Sequence, residues 1–241
     1  MSKLNRREFL RNSLILTVCG FVFPDEVLGR KKPYSRCFRV IYPTIDDGPT
    51  EWTEYITNEA NKNGSVTLFC IGERLRRYRD YAVRAIENGN VIGNHSYHHP
   101  HFSEISFEQA KREIEFTDRE IRKTYRIAQV SRYPKLFRFP YSDRGFREIE
   151  KHGRTVRKGS PEKKYKIEEF LRDMGYKTCG WDVDTRDWDS HTPLLYILRT
   201  LDEVNQGDII LLHERKRTAY HILPYLVKKA KRKGYGFRTL A

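Results

Sequence analysis

The sequence predicts an α/β protein, a distorted or incomplete (β/α) barrel of about seven parallel strands with helices between them. Three observations predict it. Short apolar runs of strand length alternate with helical segments along the chain. No Gly-x-Gly-x-x-Gly follows the first run, which disfavours a doubly wound sheet. Most of the chemically distinctive side chains fall just after strands, and in a β/α barrel those strand ends meet on one face.

Taken in order, the first strand is the apolar run Phe38 to Tyr42, leading to a tight turn at Gly48-Pro49. Glu51–Asn63 reads as a helix stopped by Gly64, Val66–Ile71 as a strand, and Arg77–Asn88 as a helix closed by Gly89. Val91–Gly93 is a short strand that runs into a histidine-rich stretch, residues 95–101. Ser106, with Gln109 three residues later, has the form of a capping box and starts a helix to about Tyr125. Leu136–Phe139 is a short strand, Ile167–Met174 a helix ended by Gly175, and Lys177–Val183 a strand. Leu194–Val204 (helix), Asp208–Leu212 (strand), Tyr220–Lys233 (helix) and Gly236–Thr239 (strand) complete the pattern.

A chain of 241 residues is long enough for one large domain with a full core. Its formal charge of +14 points to an anionic surface or polymer. Residues 1–32 carry seven Lys/Arg against three Asp/Glu, a net +4, so +10 belongs to the remainder. Nucleic acid is disfavoured as the partner because no recognition motif accompanies the charge; a cell wall or acidic glycan fits it. The four cysteines, Cys19, Cys37, Cys70 and Cys179, show no paired spacing, and Cys70 and Cys179 fall inside predicted strands as small apolar residues.

The N-terminus has a basic head, Asn5-Arg6-Arg7-Glu8-Phe9-Leu10-Arg11, then a short apolar run, Leu14 to Phe23. The run is too short for a comfortable membrane span, so residues 1–32 read as an export signal or membrane-targeting segment ahead of a domain at 33–241. Arg6-Arg7-x-Phe9-Leu10 resembles a twin-arginine signal, which implies the export machinery as a partner and a periplasmic or extracellular location. No small-x-small cleavage site precedes Lys31, so tethering by an uncleaved segment stays open; Val18 makes Cys19 a poor lipid-attachment site.

The chemistry begins at Thr44-Ile45-Asp46-Asp47-Gly48-Pro49. Adjacent carboxylates at a strand mouth repel, a cost a metal ion would offset by taking one as ligand and leaving the other as a base. The plain alternative is a solvated Asp-Asp-Gly turn. His95 and His99, four residues apart, would lie on one side of a helical turn. With Asp47 they would give three protein ligands and open positions, as catalytic zinc sites require. His98 and His101 are expected to point elsewhere. Arg138 and Tyr141 follow the fourth strand, Asp184, Asp187 and Trp188 the fifth, and His213 ends the sixth. The absence of His-Glu-x-x-His and Gly-x-Ser-x-Gly argues against a zincin protease or a serine hydrolase.

Five stretches in order, TIDDGP at 44–49, HSYHH at 95–99, RFPY at 138–141, DTRDW at 184–188 and LLH at 211–213, resemble the motifs of the polysaccharide deacetylase family of metal-dependent carbohydrate esterases. The resemblance runs from Phe38 to Leu240. It implies Asp46 as catalytic base, Asp47, His95 and His99 as metal ligands, and Arg138 as the partner that orients Asp46. It implies the backbone N–H of Tyr141 as an oxyanion donor and His213 as general acid tuned by Asp187. Trp188, Leu211 and Tyr141 would shape the acetyl pocket. The implied cofactor is one divalent ion, zinc first, with cobalt, nickel or iron(II) as the other candidates. The implied reaction removes N-acetyl groups from an N-acetylglucosamine glycan such as peptidoglycan. The alternatives are an O-acetyl esterase on a xylan-like polymer and a non-catalytic glycan-binding module.

Three departures stand out. Ile45 replaces an aromatic, and Ser142 stands where glycine is usual. The segment 144–166 is longer than the family pattern and carries nine Lys/Arg against Glu148, Glu150 and Glu162. It reads either as a solvated mobile insertion or as a clamp for an anionic glycan.

Overall fold

The computed structural model describes residues 39–151 and 154–241. The proposed export segment, Cys19, Cys37, Phe38 and the tip of the basic insertion lie outside the described residues. At the centre is β1 (Arg39–Gly48), whose second half is almost wholly buried. Along the chain follow α1 (Thr53–Asn61), β2 (Thr67–Cys70), α2 (Gly72–Arg77), α3 (Arg79–Glu87), β3 (Val91–Asn94), α4 (Phe107–Ile127) and β4 (Leu136–Phe137). Next come β5 (Phe146–Lys151), β6 (Arg154–Gly159), α5 (Pro161–Asp173), β7 (Lys177–Thr178) and β8 (Val183–Asp184). The chain ends with α6 (Leu194–Asp202), β9 (Ile209–His213), α7 (Leu223–Lys233) and β10 (Tyr235–Phe237).

The main sheet runs β7-β4-β3-β2-β1-β9-β8, and β10 pairs with the start of β1. Every ladder in it is parallel. Parallel strands need crossovers, which the helices supply while covering the apolar outer face of the sheet. Ile41, Ile45, Leu68, Ile92 and Leu212 pack there against Ile56, Leu75, Ile121 and Leu226. A second cluster, with Phe102, Phe137, Phe139 and Ile167, fills the space beneath α4 and α5. Gly93 is required by close approach: a Cβ there would lie 2.6 Å from the Phe69 ring. The capping box forms as expected, Ser106 Oγ accepting from the Gln109 N–H and the Gln109 side chain from the Ser106 N–H.

Four local expectations are corrected. The strand expected over Lys177–Val183 is two short strands, β7 and β8, at opposite ends of the sheet. Between them the Cys179 N–H donates to Phe137 C=O (2.8 Å) and the Asp182 N–H to Ile209 C=O (2.9 Å), so the chain bridges the two edges. Among the described residues no ladder joins β7 to β8, so the barrel is incomplete. Cys179 accordingly lies just beyond β7, not inside a strand.

The helix expected over 77–88 starts earlier and breaks at Tyr78 (φ −117°, ψ 34°), giving α2 and α3. His95 and His99 are not on a helical turn; Ser96 (φ 64°) and His99 (φ 61°) lie in the left-handed region of a loop after β3. Within the segment 144–166, β5 and β6 pair antiparallel from Phe146 with Gly159 to Lys151 with Arg154, followed by the start of α5. Ser160 caps α5 by accepting from the Lys163 N–H, and Pro161 begins it.

Candidate active site

Asp46 and Asp47 belong to the end of β1, not to a turn beyond it. In a regular strand successive side chains face opposite sides. Here the register with β2 shifts between Asp46 and Gly48, and Asp47 takes a left-handed backbone (φ 72°). The irregularity turns both carboxylates into one cavity of about 640 Å³. His95, at the end of β3, is buried, and its Nδ1–H donates to Arg138 C=O (2.8 Å), which leaves Nε2 as the lone-pair nitrogen. The His99 N–H donates to Ser96 Oγ at 3.0 Å.

Asp47 Oδ1, His95 Nε2 and His99 Nε2 form a small triangle with edges of 3.1 Å (His95–His99), 3.3 Å (Asp47–His99) and 3.7 Å (Asp47–His95). Tetrahedral ligands about 2.0–2.1 Å from one ion stand about 3.3 Å apart, so these edges fit a shared cation. Asp47 Oδ1 is buried and, among the described residues, accepts no hydrogen bond. Burial works against its charge, but His95, His213, His99 and Arg74 hold its carboxyl below the usual range. Burial, together with His95, pushes the His99 imidazole down to about 4, so it is a neutral donor at ordinary pH.

Two supporting pairs flank the triangle. Asp46 Oδ1 accepts from Arg138 Nη1 at 2.8 Å; the same nitrogen donates to Thr44 Oγ1 (2.7 Å) and Nη2 to Gly180 C=O (2.7 Å). Opposite, His213 Nδ1–H donates to Asp187 Oδ1 at 2.8 Å, leaving Nε2 free on the cavity side. Asp187 Oδ2 accepts from the His213 N–H and Thr218 Oγ1, both at 2.8 Å. Burial opposes the imidazolium of His213, but the hydrogen bond and charge of Asp187 prevail, helped by Asp46 and Asp47, and raise its pKa.

Tyr141 has φ 54° and ψ 19°, and its N–H joins no backbone hydrogen bond among the described residues outside the regular elements. Asp47, His99 and Tyr141 thus all sit in left-handed backbone, at a cost of about 1–2 kcal/mol each that the surrounding fold must hold. Leu211, Trp188 and Tyr141 line the cavity. Asp184 lines it too, but its Oδ1 accepts from the Arg186 N–H (2.8 Å), a loop-supporting contact.

Neither of the histidines expected to point elsewhere joins the three-ligand cluster; His98 pairs with Glu113 at 2.7 Å, although it still lines the cavity. His101 stacks on the Tyr141 ring, with centroids 3.9 Å apart, and its Nδ1 lies 3.4 Å from Asp143 Oδ2. The sequence reading missed Trp181 and Arg74, both on the cavity wall; Trp181 was hidden inside a supposed strand. It also missed Glu214, directly after His213, whose buried Oε1 accepts from the Thr50 N–H, Thr50 Oγ1 and Thr53 Oγ1, each at 2.6 Å.

The sequence model of the family described as Polysaccharide deacetylase matches residues 34–156. The chain belongs to the polysaccharide deacetylase family. Among the family's curated proteins it is 29% identical over 207 residues to the peptidoglycan-N-acetylmuramic acid deacetylase PdaC of Bacillus subtilis, covering 84% of this chain and 38% of PdaC. It is 23% identical over 219 residues to the peptidoglycan-N-acetylglucosamine deacetylase PgdA of Listeria monocytogenes, covering 90% of this chain and 41% of that protein. The chain therefore spans about two fifths of the length of these relatives.

The solved structure of PdaC superposes with a TM-score of 0.67 at 28% identity, over 85% of this chain and 89% of that one. A family 4 carbohydrate esterase from Streptomyces lividans in complex with acetate superposes with a TM-score of 0.68 at 24% identity, over 86% and 95%, a likeness of fold. The incomplete parallel barrel is thus the polysaccharide deacetylase fold. Metal dependence is general in the family, in keeping with the Asp47, His95 and His99 cluster.

Proposed function

We propose that this chain is a metal-dependent hydrolase that removes N-acetyl groups from an N-acetylglucosamine-containing glycan, such as peptidoglycan. One observation carries the reading: a three-ligand cluster with open positions lies between a carboxylate fixed by Arg138 and an imidazole fixed by Asp187, all facing one cavity. The curated relatives, named as peptidoglycan deacetylases, supply the substrate class.

Asp47, His95 and His99 would hold the ion, with zinc the first choice because the donors are two imidazoles and one carboxylate. When bound, a divalent cation there supplies Lewis acidity to an amide carbonyl and to a water molecule. Asp46 takes the proton of the attacking water as general base, its other oxygen held still by Arg138. The Tyr141 N–H donates to the carbonyl oxygen as it gains charge; a donor fixed in advance needs no reorganisation at that moment. His213 gives its proton to the departing amine, and Asp187 keeps that imidazole oriented and charged. Leu211 and Trp188 provide the apolar wall for the acetyl methyl.

Residues 1–32 are proposed to export the domain at 33–241 through a twin-arginine route, so that it meets extracytoplasmic glycan. Acetate release from N-acetylated and O-acetylated glycans, with and without chelator, tests the reaction. Chelator-sensitive release from N-acetylglucosamine oligomers is the expected result; release from esters alone would favour an esterase, and glycan binding without release a non-catalytic module.

A further inference from the structure

A second cavity of about 410 Å³ adjoins the first, and Asp47, Arg74 and Arg215 line both. The run Arg215-Lys216-Arg217, directly beyond His213 and Glu214, forms one side of it, and Trp52 another. Most charges around it are already committed. Arg217 donates to the carbonyls of Thr192 (2.9 Å), Asp187 (3.1 Å) and Asp189 (3.2 Å), so it holds the loops together. Arg74 donates to Asp47 C=O. Asp47 faces the two imidazoles and Glu214 Oε1 is taken up by Thr50 and Thr53, while Asp47 Oδ1 and Glu214 Oε2 are buried with no hydrogen-bond partner among the described residues. The solvent-exposed charges that line it are Arg215 and Lys216, against Glu51.

An aromatic surface continues from the same edge. Tyr220 packs edge-on to Trp52 with centroids 5.6 Å apart and lies 4.8 Å from Tyr55. Tyr55 is 50% exposed and Tyr220 42%, so this pair of rings faces solvent beside the cavity. Flat rings offer the C–H face of a sugar a large contact at little entropic cost, while cations next to them select an acidic substituent.

We propose that this second cavity is a subsite for a carboxylate-bearing sugar next to the one deacetylated, with Arg215 and Lys216 taking the carboxylate and Trp52 the sugar face. The assignment rests on the glycan reading above and narrows it to acidic glycan. The carboxylate can be that of a lactyl ether or of a uronic acid; the cations read the shared group.

The test measures dissociation constants by calorimetry on the full chain carrying Asp46→Asn, so that no probe is consumed and the result does not depend on turnover. The probes are a neutral N-acetylglucosamine oligomer and equal-length oligomers with the neighbouring sugar as lactyl acid, lactyl amide or uronic acid. At least one acidic probe should bind about tenfold more tightly than the neutral and amide probes, the size expected for a hydrogen bond to a charged group. That preference should disappear in Arg215→Ala/Lys216→Ala, reverse in Lys216→Glu, and weaken steeply with salt. Equal affinities for all probes, or a preference that survives the double substitution, would overturn the subsite while leaving acetate release from neutral oligomers, and the proposed reaction, standing.

Discussion

Arg138 Nη1 lies 2.8 Å from Asp46 Oδ1, and both side chains are almost sealed from water. The same guanidinium donates to Gly180 C=O in the segment that bridges the open edges of the sheet. One side chain therefore fixes the proposed base and braces the gap in the barrel. Removing one partner of a buried pair leaves an uncompensated charge, worth about 3–5 kcal/mol. Arg138→Met should lower unfolding stability by that order and abolish acetate release. Asp46→Asn removes the counter-charge of Arg138 but keeps an acceptor for it, so it should lose about 10²–10⁴-fold in turnover and less stability than Arg138→Met, which also breaks the bonds to Thr44 and Gly180. Denaturant unfolding beside an acetate assay separates the two; equal stability losses would contradict the assignment.

The Asp187–His213 pair predicts a pH signature. His213 must be protonated to serve as acid, and Asp187 raises its pKa against the opposing effect of burial. Activity should fall as pH rises through that raised value. Asp187→Asn should shift this alkaline limb to lower pH and reduce kcat more than it changes KM. The linkage has the same sign for stability. The contribution of the pair is fully present below the unfolded imidazole pKa of about 6.5 and is lost as pH rises through the folded one. An unmoved alkaline limb in the variant would remove His213 from the acid role.

Asp47 Oδ1, buried without a hydrogen-bond donor among the described residues, predicts that the cation also stabilises the fold. A site filled at about 1,000 times its Kd adds about 4 kcal/mol. Chelation should therefore lower the Tm by several degrees. In Asp47→Ala or His95→Ala the Tm should no longer respond to added zinc. A metal response that persisted in both variants would place the ion elsewhere.

How far the sequence disclosed this site follows from what each residue depends on. Asp46, His95, Arg138 and His213 were legible because strand ends are local features and parallel β/α topology brings them to one face. The bulge at Asp47 and the left-handed Tyr141 were not, since they answer to contacts distant in the chain. The split at Cys179–Asp182 was hidden for a related reason: an apolar run says that a segment is buried, not which sheet edge it joins. The stacking of His101 on Tyr141 was hidden because the two lie forty residues apart. The basic hairpin was seen only as a charge run, although Ile149 pairs across it with Val156.

Gly48 and Glu214 offer the sharpest test of how the two halves of the site are joined. The Glu214 N–H donates to Asp46 C=O at 2.8 Å, while its side chain holds Thr50 and Thr53, so one residue locks the end of β9 to the end of β1. A Cβ on Gly48 would stand 2.1 Å from Glu214 Oε2. Gly48→Ala should therefore displace Glu214, destabilise the chain and misplace Asp46 and Asp47 relative to His213. Shortening the side chain makes room. In Gly48→Ala/Glu214→Ala the two losses should be less than additive by about 0.5–3 kcal/mol, as for residues in contact. Burial also raises the pKa of Glu214, so stability from this carboxyl is complete below the unfolded value of about 4.3 and is lost as pH rises through the folded one. Glu214→Gln should flatten that slope while keeping an oxygen for Thr50. Strict additivity in the double variant, or an unchanged pH slope in Glu214→Gln, would mean that the contact between these two residues does not govern how β1 and β9 meet.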